Sequence, residues 1–335
     1  MESQSKGPLK PVAVGVVGVG SLGFHHARIL RELPEVRLLG IYDVDDARAA
    51  SVASELDTRS YQELDPLLED AEAVTIVVPT GNHFEVAESA LAYGCDLLIE
   101  KPITPTTEQA DELIRLASDA GRVIQVGHIE RFNDAVRACE PYLDNPLFVE
   151  SHRMAPFVKR GTDVPVVLDL MIHDIDLLIS LVRSFVSDLR AVGVSVLSSN
   201  VDIANARLEF DSGTVANITA SRVSIQKQRK MRFFQPSGYI SLDLGRGTGE
   251  FYRRKDQGGS LADVTQLGDL VEHISLRGDG GEPLRLELQA FAKAVRREAP
   301  VPVSAEEGRA ALAIALDIVE HIERHKDNVF DSSST

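Results

Sequence analysis

Val12-Ala13-Val14-Gly15-Val16-Val17-Gly18-Val19-Gly20-Ser21-Leu22-Gly23 decides how this chain begins to fold. The first six residues are apolar and β-prone without alternation, which reads as a strand buried on both faces. A Gly-x-Gly-x-x-Gly run follows at once, and a helical pattern opens at Leu22. Gly18 permits a tight turn, Gly20 lets a diphosphate approach the backbone, and Gly23 lets the helix lie close. Ser21 and Leu22 belong to the same cradle, where a helix N-terminus offers N–H groups to phosphate. A purely structural glycine turn would look the same from the motif alone. Asp43 adds to it, because it ends the next apolar run, twenty residues beyond Gly23. A carboxylate at that spacing bonds the adenosine ribose hydroxyls and repels a 2′-phosphate. The pair points to NAD(H) over NADP(H).

Outward from this motif, apolar runs alternate with helical stretches as far as His128. The runs are 12–17, 36–42, 73–78, 97–99 and 123–126, and the helices 22–31, 46–55, 84–93 and 108–120. That alternation implies βαβ units and a parallel, doubly wound sheet. After Arg131 one helical stretch, 166–182, precedes strand-like runs at 189–196, 203–210, 214–220, 231–234, 240–244 and 250–254. Turns such as Asp211-Ser212-Gly213 separate them, as in an antiparallel meander. Residues 255–283 read as a polar, partly mobile loop, and helices follow at 284–298 and 305–324. The expected architecture is an N-terminal Rossmann domain over 11–128 and an α+β domain with a large, mostly antiparallel open sheet over 129–328.

Composition narrows the class. The formal net charge is −16, which disfavours nucleic acid as a partner because phosphate binding wants a basic face. No apolar run reaches the roughly 18 residues of a membrane span. The start, Met1 to Pro11, is polar and lacks the apolar core of a secretory signal, so a cytoplasmic protein is expected. Cys95 and Cys139 stand far apart with no Cys-x-x-Cys spacing, so neither a disulfide nor a metal site is expected.

Two further groups carry chemistry. Glu100-Lys101-Pro102 ends a strand of the first sheet, the end at which ligands bind in such sheets. A solvated strand-end lysine is the plain alternative. Asp169 and His173 stand four residues apart and share one helix face, so the carboxylate can orient the imidazole and raise its basicity. An ordinary surface charge pair has the same spacing. No further His or Cys completes a metal set here.

The order Gly-x-Gly-x-x-Gly, Asp43, Pro79-Thr80-Gly81-Asn82-His83, Glu100-Lys101-Pro102 and Asp169-x-x-x-His173-Asp174 resembles the glucose–fructose oxidoreductase / inositol dehydrogenase (Gfo/Idh/MocA) family. The resemblance spans roughly residues 12–325. It implies oxidation or reduction of sugar or cyclitol hydroxyls, with Lys101, Asp169 and His173 on the catalytic positions. Thr80, Asn82, His83 and Glu100 fall on positions lining the dinucleotide. A narrower resemblance lies in Gly127-His128-Ile129-Glu130-Arg131-Phe132-Asn133, Ser151-His152-Arg153-Met154-Ala155-Pro156-Phe157 and Met231-Arg232-Phe233-Phe234-Gln235-Pro236. It is to the branch that oxidises C3 of UDP-N-acetylglucosamine, making a 3-keto sugar nucleotide for a following aminotransferase in lipid A biosynthesis. A free monosaccharide or cyclitol substrate, and a catalytically silent NAD(H) sensor, remain alternatives. His128, Arg131, Arg153, Lys159 and Arg160 are the candidates for holding a UDP-sugar. Lys227, Arg229, Lys230 and Arg232 read as a solvated strand edge. The apolar groups of Met231–Phe234 suggest a sheet face buried in a homo-oligomer.

Overall fold

β1 (Val12–Val17), buried at every position, is an interior strand of a parallel sheet. β2 (Val36–Tyr42) pairs with one side of it and β3 (Ala73–Ile76) with the other; β4 (Asp96–Glu100) and β5 (Ile124–Gly127) extend the sheet, giving the order β2-β1-β3-β4-β5. The computed structural model describes residues 10–158, 164–255 and 267–332. Helices α1 (Ser21–Glu32), α2 (Asp46–Glu55), α3 (Leu64–Asp70), α4 (His83–Ala92) and α5 (Thr107–Ala120) connect these strands. Val12, Val14 and Val16 share a core with Ala27 and Leu30 of α1 and Val52 of α2. The opposite face meets α3, where a Cβ on Gly15 would lie 2.7 Å from the Leu67 side chain. The strand order reverses at β1, so the crevice beyond the ends of β1 and β3 is a topological switch point, where such sheets bind ligands.

The chain divides into two compact units. One runs to Ile129 and includes Glu282–Arg309; the other comprises Glu130–Gly281 and the chain from Ala310 onward. Sequence patterning places a single boundary at 128/129 and assigns all later residues to the second domain. The difference is α9 (Pro283–Val295), whose Leu284, Leu288, Phe291 and Ala292 lie in the core with α1 and β1. An amphipathic stripe announces that a helix will be buried, but not against which sheet.

In the second unit α6 (Asp134–Cys139) precedes β6 (Phe148–Met154), and α7 (Ile172–Val182) precedes β7 (Val186–Val194). β8 (Ile203–Phe210), β9 (Val215–Ser221), β10 (Gln228–Gln235), β11 (Gly238–Asp243) and β12 (Thr248–Arg254) follow. α8 (Leu267–Leu270), β13 (Val271–Arg277) and α10 (Ala305–Ser332) complete the elements. The eight strands order as β13-β12-β11-β10-β6-β9-β8-β7. All pairs are antiparallel except β6 with β9. Strict alternation of burial along β8 shows one face packed and one open. α7 and α10 bury Ile172, Ile175, Ala315 and Ile318 against the packed face.

Two strands depart from the sequence expectation. β6 has no apolar alternation because Ser151 and Arg153 occupy inward positions. β13 falls in the expected 255–283 loop, and only Leu276 of it is buried, as suits an edge strand. β10, by contrast, is an interior strand, so Lys227–Arg232 is not a sheet edge.

Candidate active site

The glycine loop is held from three sides. The Gly18 N–H donates to the Tyr42 carbonyl at 2.8 Å, and Gly18 has φ +86°. The Val19 N–H donates to Asp43 Oδ2 at 2.7 Å, and the Asp45 N–H donates to Asp43 Oδ1 at 3.0 Å. Arg48 Nε donates to the Val19 carbonyl at 2.9 Å. A Cβ on Gly20 would meet nothing within 4 Å. The α1 N-terminus has no side-chain cap and no acid in its first turn. Open space beside uncapped N–H groups at the switch point fits a dinucleotide diphosphate. Ser21 and Leu22 form the start of α1 itself.

Thr80 and Asn82 form a 3₁₀ turn just beyond β3 and are half-buried and exposed, respectively, as a lining role requires. His83 differs. It is buried, with Nδ1 2.9 Å from the Pro102 carbonyl and Nε2 2.9 Å from the Val78 carbonyl. It braces the turn after β3 against the turn after β4, where Lys101 sits. Burial lowers its pKa, outweighing the two carbonyls and Glu100, which favour the charged ring. Glu100 is also largely buried. Its Oε1 lies 3.3 Å from His26 Nε2, and its Oε2 accepts from the Lys101 N–H at 3.2 Å. Glu100 therefore fixes the backbone of Lys101, whose side chain is half-buried. The Lys101–Pro102 peptide is cis.

In the second unit Asp169 lies in one turn of π-helix, Val167–Met171, immediately before His173 in α7. Such turns concentrate at functional sites. Asp169 and His173 are half-buried, whereas Asp174 and Asp176 are buried. Arg131 donates twice to Asp176, both at 2.7 Å. Arg153 donates to Glu130 at 2.8 Å and to Asp174 at 2.7 and 3.1 Å. Burial opposes the charge on Arg153, but the carboxylates of Asp174 and Glu130 hold its pKa above the usual value. These two arginines neutralise buried acids. Spacing alone did not reveal their partners, although two acids in the apolar run Ile172–Val182 signal a need for buried cations. His128 is fully buried just past β5, in the first unit. Lys159 and Arg160 lie outside the described residues. Among the described residues no group of three or more His, Cys, Asp or Glu is placed to hold a metal ion. None of the described helices is long and apolar enough to cross a membrane.

Comparison with known proteins agrees with this geometry. Residues 12–128 match the model of an oxidoreductase family with an NAD-binding Rossmann fold, and residues 136–241 match the GFO/IDH/MocA C-terminal domain. The chain belongs to the GFO/IDH/MocA oxidoreductase family. It is 38% identical over 305 residues to the UDP-N-acetylglucosamine 3-dehydrogenase of Acidithiobacillus ferrooxidans, covering 91% of this chain and 95% of that one. A solved structure of that enzyme superposes with a TM-score of 0.86 at 36% identity, covering 94% and 99% of the two chains. The scyllo-inositol 2-dehydrogenase (NAD+) of Bacillus subtilis is 29% identical over 236 residues, 64% of this chain and 68% of that one. The scyllo-inositol dehydrogenase of Lactobacillus casei with bound NAD(H) and scyllo-inositol shares the fold at a TM-score of 0.76 and 20% identity, covering 94% of this chain and 98% of that one. The protein is an NAD-dependent oxidoreductase of this family.

Two outcomes follow from the loop geometry. Asp43→Ala removes the acceptor of the Val19 N–H and should weaken NAD+ binding roughly tenfold or more, the value of a charged hydrogen bond. Calorimetric titration of NAD+ and NADP+ checks this; NADP+ should bind the wild type more weakly than NAD+, and an unchanged NAD+ affinity in the variant would remove Asp43 from the cradle. His83 resists protonation in the fold, while in the unfolded chain it titrates near its ordinary 6.5. The unfolded state then binds more protons, so this contribution to stability is full above pH 6.5 and falls as pH drops below it. Melting temperature should decline less steeply between pH 7 and 5.5 in His83→Gln than in wild type; equal slopes would refute the neutral brace.

Proposed function

We propose that the protein oxidises C3 of UDP-N-acetylglucosamine to a ketone with NAD+ as acceptor. The observation that carries the reading is the 38% identity to an enzyme of that name, which extends across both units. The bound dinucleotide supplies the hydride acceptor. His173 takes the proton from the substrate hydroxyl onto its imidazole. Lys101 stabilises the developing alkoxide, since a fixed cation is worth most where charge appears. Asp169 holds the imidazole ring in place. Glu100 and His83 keep the Lys101 turn rigid from beneath. A 3-keto sugar nucleotide is a ready substrate for an aminotransferase, and the reading we propose puts the reaction in amino-sugar supply for lipid A. A cytoplasmic location fits two buried free cysteines, whose burial pushes their thiols up to about 11 for Cys95 and about 12 for Cys139. A free cyclitol is the second reading, favoured by the inositol dehydrogenase relative.

A substrate screen with NAD+, followed by NADH absorbance, separates the two readings. Turnover of UDP-N-acetylglucosamine should exceed that of N-acetylglucosamine and of inositols; preference for a free cyclitol would sink the first reading. With the preferred substrate, His173→Ala and Lys101→Ala should each lower kcat by about 10²–10⁴. The double variant should be little worse than the poorer single one, because the two groups act as a unit. A His173→Ala variant that keeps more than about a tenth of wild-type kcat would exclude His173 as the base.

We also infer a homo-oligomer formed through the open sheet face. Phe148, Phe234, Tyr239, Tyr252 and His273 stack ring on ring across β6, β10, β11, β12 and β13, with centroids 4.9–5.7 Å apart. An aromatic row of this length on an exposed sheet marks a surface for association. Light scattering should give a dimer or tetramer for the wild type and a smaller species for Tyr239→Arg; a wild-type monomer at micromolar concentration would dismiss the interface.

A further inference from the structure

Helix α1 carries two histidines side by side, and their surroundings are opposite. His25 is exposed and meets the Phe24 ring edge-on. His26 is fully buried, on the stripe of α1 that puts Ala27, Ile29 and Leu30 into the core. An imidazole at such a position costs more to desolvate than an aliphatic side chain of similar size. Its place there calls for a polar partner.

That partner is Glu100. His26 Nε2 lies 3.3 Å from Glu100 Oε1, with the two side chains 0% and 11% exposed. Among the described residues this is the one polar contact of the ring, since Nδ1 has no hydrogen-bond partner. Two facing lone pairs would repel at that range, so the ring turns an N–H toward the carboxylate. The second oxygen, Oε2, accepts from the Lys101 N–H at 3.2 Å. One carboxylate thus faces the cofactor helix with one oxygen and the backbone of Lys101 with the other.

The carboxylate is also held from below. Glu100 pairs with Gly127 across β4 and β5. A Cβ at residue 127 would lie 2.8 Å from Oε1, 2.9 Å from Cδ and 3.1 Å from Oε2. The carboxyl group therefore lies over the bare glycine backbone, and any side chain at 127 would displace it. His83 feels the same negative charge, but its ring nitrogens are taken by the carbonyls of Val78 and Pro102. His26 is left as the imidazole that meets Glu100 directly.

We propose that His26 is a positioning residue, which acts through Glu100 to set the Lys101 turn against the helix that carries the cofactor. The proposal rests on the reading that Lys101 stabilises the alkoxide, and it names what holds that lysine in register with the dinucleotide. His26 stands five residues beyond Ser21, on the helix whose N-terminus faces the diphosphate. Cofactor helix and lysine turn are thereby joined by two side chains within one unit. A misplacement of about 1 Å at a reacting centre can lower a rate by roughly 10²-fold, so a small shift of this turn is felt in turnover.

The test measures kcat, KM and NAD+ affinity for wild type, His26→Leu, His26→Asn and His26→Gln, with Lys101→Ala as reference and the substrate preferred in the screen above. His26→Leu and His26→Asn should lower kcat about tenfold, the worth of one charged hydrogen bond. KM and the NAD+ dissociation constant should stay within about twofold, because the loss falls on the transition state and not on binding. The Gln amide nitrogen reaches as far as Nε2, whereas that of Asn reaches only as far as Nδ1. His26→Gln should therefore recover kcat to within about threefold of wild type. A space-filling role for His26 predicts the reverse order, with Leu nearest to wild type. Should His26→Leu not fold, the contrast between Asn and Gln decides the matter. Wild-type kcat in His26→Leu or His26→Asn, equal losses in Asn and Gln, or a loss confined to KM or NAD+ affinity would each overturn the proposal. If Lys101→Ala lowers kcat while the His26 variants do not, the positioning role falls and the mechanism stands. If Lys101→Ala keeps wild-type kcat, or wild type turns over none of the screened substrates, the mechanism fails and the role of His26 with it.

Discussion

Helix α1 starts so near the end of β1 that residue 23 has no room for a side-chain carbon: a Cβ there would stand 1.9 Å from the Gly18 carbonyl oxygen. Only glycine tolerates that approach, and the approach fixes where α1 points. The helix then lies along the sheet with Ala27 and Leu30 in its core, and its uncapped N-terminus faces the switch point between β1 and β3. Asp43 ties β2 to the same loop through the Val19 N–H. The cofactor cradle is thus a by-product of how tightly one helix packs, and a larger residue at 23 would disturb loop, helix and sheet together.

The second unit depends on a different constraint. Asp174 and Asp176 are buried in a helix that is otherwise apolar, and a buried carboxylate is tolerable only with a partner. Arg153 and Arg131 supply it, from an inward position on β6 and from a turn beyond β5. Ion pairs of this kind contribute little net stability against an apolar replacement, but removing one member leaves a bare charge and is strongly destabilising. They give direction to the helix that bears His173, because a carboxylate–guanidinium fork accepts few geometries.

Much of this was legible beforehand. The unbroken apolar run of β1, the three glycines and Asp43 each have a local cause, and the parallel sheet follows from the alternation of 12–17, 36–42 and 73–78 with helical stretches. The order of short motifs was sufficient to identify the family. What was not legible depended on partners distant in sequence. β6 escaped notice because Arg153 points inward to meet Glu130 and Asp174, 23 and 21 residues away. His83 sits in a lining motif, yet its ring is enclosed by the carbonyls of Val78 and Pro102. The basic stretch at 227–232 looked like an edge because strand order cannot be read from one strand.

The placement of α9 bears on how the chain is made. Ribosomes deliver the N-terminus first, and domains tend to fold as they emerge. Here β1 to β5 are complete by Gly127, but Leu284, Leu288, Phe291 and Ala292, which close the same core, come some 160 residues later. At translation rates of about 5–20 residues per second, the nascent first unit waits on the order of ten seconds or more with the apolar surface that α9 will cover still exposed. The whole second sheet is synthesised during the wait. The core of the first unit therefore closes late, after the second sheet has been made, and a nascent chain released before α9 would present an apolar surface to chaperones rather than a finished Rossmann unit.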